Sequence, residues 1–359
     1  MNPAALLPTP DAIPVAWGWF QGLLLLTFVV HLLLMNAMFG SACIGLVSHC
    51  LRRDAAGPCS EPVARSLPFV IAFTVNFGVA PLLFVQVLYG HLIYASSILM
   101  AASWLMVIGL LIAAYTLAYL LKYQYSRLGW VKVPILLGMV LLFAGIAFVF
   151  VTNIGLMQAP ATWGRYFDEP RGLLLNLGDP MHLPRYLHFV LASLAVGGLA
   201  IAGYFHWQQQ RGEWSGVAWV RRGCRWFSFA TMANMLIGLW FLFSLPQGTL
   251  DLSTVNGQCL VGCIGVGFLL SLPAIHAGLA GRVVGAICWT LATVAMMVVA
   301  RDLLRRIVLA PWFSPDQLKV QPEIMPMVLF LIVFAFGLGL IAWMVGFTRR
   351  GCFRQGGRS

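Results

Sequence analysis

The chain has 359 residues, 60% of them hydrophobic and only 9% charged, with a formal net charge of +11. Soluble globular proteins carry about 25% charged residues. The composition therefore excludes a soluble enzyme, a disordered chain and a secreted disulfide scaffold, and points to an all-α polytopic membrane protein forming one membrane domain over residues 1–359.

Residues 1–14 carry no basic region ahead of the first apolar run and are not expected to be a cleaved leader. Helical spans of about 20 apolar residues cross a bilayer, and nine such runs follow, near 15–42, 67–95, 97–121, 131–155, 184–207, 226–246, 257–277, 283–308 and 324–347. The first contains His31. The second ends near His91. The third contains no acid. After the fourth comes the longest loop, about 156–183, rich in Gly, Pro and acids. Asp179-Pro180 and Pro184 then announce the fifth helix by a capping carboxylate and a proline in the first turn. That helix carries His188 and a run of small residues (Ala192, Ser193, Ala195, Gly197, Gly198), which allows another helix to approach closely. In the seventh span Cys259 and Cys263 share one face and read as small buried hydrophobes. The eighth ends in Arg301-Asp302 with Arg305 and Arg306.

The positive charge is unevenly placed. The segments 49–66, 122–132, 208–225, 277–282 and the tail after residue 348 hold 15 of the 22 basic residues but 3 of the 11 acids. Basic loops stay in the cytoplasm, so the N-terminus is expected outside and the C-terminus in the cytoplasm, and the charge is a topology signal, with no nucleic acid as partner. Aromatic residues mark the same boundaries: Trp17, Trp19, Tyr89, Tyr94, Trp163, Tyr166 and Trp312 outside, Tyr125, Trp130, Trp207, Trp226 and Trp343 inside. Of the eight cysteines, Cys50, Cys59, Cys224 and Cys352 fall on the reducing side, and no C-x-x-C-H motif is present for covalent haem attachment.

Ionisable groups within a membrane are costly and are paired or functional. His31 and His188 lie inside spans among apolar residues. Each needs a partner there, either a packed hydrogen bond or an iron atom. His91 and His182 lie near the outer surface, where water can solvate them, and His49, His206 and His276 lie at inner helix ends. Asp302 can pair with Arg305 or Arg306 at helical spacing. This cluster is either a snorkelling interfacial group or a set of guanidiniums for haem propionates or a quinone headgroup.

The first span carries Trp19-Phe20-Gln21, His31 and Phe39-Gly40, and the second Val75-Asn76-Phe77-Gly78-Val79-Ala80 with Gln86 and Tyr89-Gly90. These segments resemble subunit I of the cytochrome bd-type quinol oxidases. The likeness continues through Asn153-Ile154-Gly155-Leu156-Met157-Gln158-Ala159-Pro160, and His188 with Ala192-Ser193 and Gly197-Gly198, and covers about residues 17–210. Beyond that it rests on span order and Pro311-Trp312. The resemblance implies that His188 is an axial ligand of a low-spin haem b and that His31 ligates a second haem, with His91 as a substitute for the missing methionine partner of the first. It also implies a bacterial inner-membrane location and a partner, either a second bd-type subunit or a copy of this chain.

The family's acids are missing from the third span and from 296–300 of the eighth, and its long outer quinol-binding loop is reduced to about 247–256. The expected function is therefore a haem b electron-transfer subunit without the full oxygen-reducing site. It would exchange electrons between the quinone pool and a redox partner such as a periplasmic c-type cytochrome. A functional bd-type quinol oxidase and a haem-free scaffold subunit are the alternatives.

Overall fold

The structure is a computed structural model. It describes residues 3–51, 59–168, 170–214 and 216–355, with side chains described between 5 and 347. Arg52, Arg53, Arg358 and the side chains of Arg349, Arg350, Cys352 and Arg354, all used in the charge argument, lie outside the described residues. Nine long helices make up the described chain: α1 (Trp17–Leu51), α2 (Ser60–Leu99), α3 (Ala101–Gln124), α4 (Lys132–Met157), α5 (His182–Gln210), α6 (Val217–Phe243), α7 (Val255–Leu279), α8 (Val283–Leu309) and α9 (Ile324–Gln355). Each contains an apolar stretch long enough to span a bilayer, so this is an all-α polytopic membrane protein.

The connections sort onto two faces. On the N-terminal face the Ile13 amide donates to the Lys319 carbonyl at 2.8 Å and the Gln321 amide to the Ile13 carbonyl at 2.9 Å, tying the N-terminus to the α8–α9 connection. The loop after α4 joins the same face: the Ala102 amide donates to the Gly172 carbonyl at 3.0 Å and the Leu174 amide to the Leu99 carbonyl at 3.2 Å. Asp179 acts just before α5, its Oδ1 accepting from the Met181 amide at 3.0 Å.

Several helices outrun the apolar windows. α1 continues to Leu51 and α2 begins at Ser60 because their polar ends find partners. His49 Nδ1 pairs with Ser60 Oγ at 3.2 Å, and Ser60 Oγ pairs with the Tyr125 hydroxyl. His49 and Tyr125 are therefore buried, where the sequence suggests an interfacial position for both. α6 starts at Val217, so Arg221, Arg222 and Arg225 lie within the helix, and Arg222 stacks on Trp219 at 5.2 Å. Trp163 and Tyr89, expected at the outer boundary, both turn inward. Trp163 is buried and donates from Nε1 to the Leu156 carbonyl at 2.9 Å, and Tyr89 is fully buried. Trp19 and Trp130 are exposed, as an interfacial belt requires. The cysteine face of α7 is also corrected: Cys259 is exposed, and Cys263 is only half-buried at the edge of the cluster formed by Leu260 with Ala300, Leu303 and Leu304 of α8.

The contact of α5 with α6 and α1 is among the most extensive in the bundle. It depends on glycine. A Cβ on Gly40 would fall 1.7 Å from the Ser193 carbonyl oxygen, and one on Gly197 would fall 2.3 Å from the Gly40 carbonyl carbon. Backbones that close gain dispersion and weak polar contacts that lipid does not offer. α8 completes the arrangement by touching both α1 and α5. α9 stands apart, and its described side chains are almost all exposed.

Candidate functional site

α1 and α5 both start on the N-terminal face, so they run parallel. Their register is set by Ser193 Oγ, which donates to Asn36 Oδ1 at 2.8 Å, and by the Gly40–Gly197 crossing. His31 and His188 each lie five residues before Asn36 and Ser193, so both imidazoles stand at one level of the bundle. They face different neighbours. His31 turns to α2, where its Nδ1–H donates to the Thr74 carbonyl at 3.0 Å. A carbonyl only accepts, so the proton sits on Nδ1 and the Nε2 lone pair remains free. The ring presses on Gly78, where a Cβ would lie 2.7 Å from His31 Cε1. His188 turns to α6. It lies against Gly238, where a Cβ would lie 3.3 Å from its Cε1, and against the Asn234 backbone. His188 Nδ1 and Asn234 Oδ1 are buried without a hydrogen-bond partner, as is Thr74 Oγ1 beside His31.

One helical turn toward the N-terminal face, about 5 Å, lies a layer of guanidiniums. Arg301 of α8 stacks on Phe28, three residues before His31, at 4.4 Å. It is also within electrostatic range of Arg185, three residues before His188. Arg185 donates from Nη2 to Gln158 Oε1 at 3.0 Å and lies 5.6 Å from the Phe241 ring. Further out, Arg305 stacks on Tyr89 at 5.1 Å and Arg306 lies 6.0 Å from the Trp17 ring. Asp302 is the only acid within reach on α8. Its Oδ1 is 3.5 Å from Arg305 Nη2 and its Oδ2 is 3.2 Å from Arg306 Nε, ion pairs whose angles are not those of hydrogen bonds. Arg305 and Asp302 are 2% and 1% exposed. Arg305 and Asp302 are thus enclosed, with Tyr89 of α2 over Arg305, whereas Arg301 is half-buried and Arg306 keeps 31% of its side chain exposed; the snorkelling arrangement is corrected for Arg305 and Asp302 alone.

The structure brings His31, His188, Arg301 and Arg305 into one region, with Arg306 at its outer edge. It places His91 elsewhere. His91 lies edge-on to Phe313 at 4.4 Å, on a helix that packs on α1, α3 and α4 and makes no substantial contact with α5. His182, expected at a wet surface, is buried against Phe148 at a ring distance of 5.1 Å. Sequence reasoning missed Arg185, Tyr89 and Gln21. Arg185 had a signal, a cation one turn from a buried histidine. Tyr89 and Gln21 were read only as parts of the resembling segments, Tyr89 also as a boundary aromatic, and neither was given a place in the site.

Among the described residues no three His, Cys, Asp or Glu side chains gather to hold a bare metal ion. A haem iron takes only one or two ligands from protein; His31 keeps Nε2 while Nδ1 is held by Thr74, and His188 lies beside the Asn234 backbone, so each ring has one nitrogen that such a group could use beneath the cationic layer. Comparison with protein-family models and with curated proteins gives no match to this chain.

Proposed function

We propose that this protein is a haem b membrane subunit that passes electrons between quinone and a redox partner, as its likeness to the bd-type oxidases implies. The observation that carries the reading is the pair of buried imidazoles at one level, His31 and His188, each against a glycine, with guanidiniums one turn away. Haem supplies the one-electron chemistry. The chain supplies orientation and electrostatics. The Thr74 carbonyl holds the His31 tautomer and ring plane, as partners behind metal-binding histidines do. Because the two rings face α2 and α6, they would hold two separate irons. Arg301, Arg305 and Arg306 would hold the carboxylates of the porphyrin or a quinone headgroup, and their positive charge would favour the reduced state.

Within the spans Asp302 is the only carboxylate beyond the first turn of a helix, and it is ion-paired. Oxygen reduction to water needs four protons delivered through hydrocarbon, so the reading favours electron transfer over a complete oxidase. The partner, a second subunit or another copy of this chain, and the bacterial inner membrane belong to the same proposal. The test is reduction of the purified protein by a soluble quinol, followed optically in stopped flow, with oxygen uptake recorded in parallel. Rapid reduction that slows in His31→Ala, with little oxygen consumed, is expected. Sustained oxygen uptake would assign an oxidase, and no optical change a haem-free scaffold.

A further inference from the structure

The guanidinium layer has a charge imbalance that its own carboxylates do not remove. Arg185, Arg301, Arg305 and Arg306 face Asp302 and, beside Arg185, Asp179. Two positive charges are left over in a setting where an uncompensated ion is strongly unfavourable. The polar atoms tell the same story. Arg185 Nη1, Arg305 Nε and Nη1, the Tyr89 hydroxyl and both amide atoms of Gln21 are buried with no hydrogen-bond partner. Those of Arg305, Tyr89 and Gln21 lie where α1, α2 and α8 converge, and Arg185 approaches from α5 on the Arg301 side. On α1, Trp17, Gln21, Leu24 and Phe28 fall on one helical face. Trp17 meets Arg306 and Phe28 meets Arg301, so Gln21 stands opposite the Asp302–Arg305 turn. Tyr89 enters from α2, where the helix breaks at Tyr89 (φ −132°, ψ 26°), and its ring lies under Arg305.

We infer that Arg185, Arg301, Arg305 and Arg306, completed by Tyr89 and Gln21, form a site for two bound negative charges, carried by a pair of carboxylates or by a phosphate group. Apart from the Gln21 amide oxygen and the two Asp302 oxygens, which lie against the guanidiniums of Arg305 and Arg306, every open atom is a donor or can donate, which is the set an oxyanion requires. Asp302 fixes the spread of Arg305 and Arg306, and Tyr89 selects for an acceptor by offering a buried O–H. Two sources share this chemistry: porphyrin propionates, for which the inference rests on the haem reading above, and a lipid phosphate, for which it does not.

The test uses the full chain, purified and delipidated in neutral detergent. Three probes are added: haem b against its dimethyl ester, phosphatidic acid against phosphatidylcholine in nanodiscs, and inorganic phosphate. The wild type is expected to bind at least one doubly charged probe in preference to its neutral counterpart, with a raised thermal midpoint. That preference should fall about tenfold or more in Arg305→Gln, the loss of one charged hydrogen bond, and less in Tyr89→Phe and Gln21→Leu, which retain packing if Arg305→Gln does not fold. Arg305→Lys should restore part of it. No preference for any anionic probe, or an equal preference in Tyr89→Phe, Gln21→Leu and the wild type, overturns the inference. Phosphatidic acid selectivity in a protein without haem absorbance would leave the site standing while the haem reading fails. Equal binding of haem b and its dimethyl ester, without lipid or phosphate selectivity, would do the reverse.

Discussion

At the scale of single residues the account turns on which ring nitrogen is free. The Thr74 carbonyl takes the His31 Nδ1 proton at 3.0 Å, and Gly78 gives the ring its place. Gly78→Val would add carbon where the ring now lies. It is predicted to turn the imidazole away and lose the absorbance owed to His31 while leaving that of His188, checked by optical spectra of the purified variant. The buried ion pairs give a second prediction. Asp302→Asn leaves Arg305 and Arg306 uncompensated and should destabilise by about 3–5 kcal/mol, as breaking buried pairs does. Adding Arg305→Leu should recover part of that loss in a thermal denaturation series. Cys59, just outside α2, gives a third. It is buried beside Ser48 at 3.4 Å, and burial pushes its thiol up to about 11. It should stay protonated and unreactive to maleimide at pH 8. Stability that depends on this thiol should hold below about pH 9, the unfolded value, and fall as pH rises toward 11.

At the scale of helices the α1–α5 crossing governs where the imidazoles stand. Gly197→Leu would drive a side chain into the Gly40 backbone and should cost about 1–3 kcal/mol or prevent assembly. Gly262→Ala in α7 meets open space and should be tolerated. Denaturation midpoints of the two variants decide this. The small residues at Ser193, Gly197 and Gly198 made a close approach legible in sequence. The register was not legible, because it depends on Asn36 meeting Ser193, and a polar pair far apart in sequence carries no periodic signal. Helix ends were misjudged for a related reason. Apolar windows end at the first polar residues, yet His49, Ser60 and Arg222 continue their helices by finding partners in the tertiary structure.

At the scale of the whole molecule, composition alone was enough for nine apolar spans and helical architecture, since only intrahelical bonding satisfies a backbone in lipid. The two-sided distribution of basic loops was equally readable. It predicts that a fluorescent fusion at the C-terminus fluoresces in the cytoplasm, and that a cysteine at the exposed Leu252 is labelled by an impermeant reagent in intact cells. The cationic layer was half readable. Arg301, Arg305 and Arg306 stood out as charges in an apolar run, but the enclosure of Arg305 and the contribution of Arg185 from α5 required three helices to be placed together. The most direct measurement is a reduced-minus-oxidised difference spectrum of the purified chain with haem counted per polypeptide. The account predicts two haems b, one lost in His31→Ala and a low-spin signal lost in His188→Ala; a folded protein with no Soret band, or spectra unchanged in both variants, would contradict it.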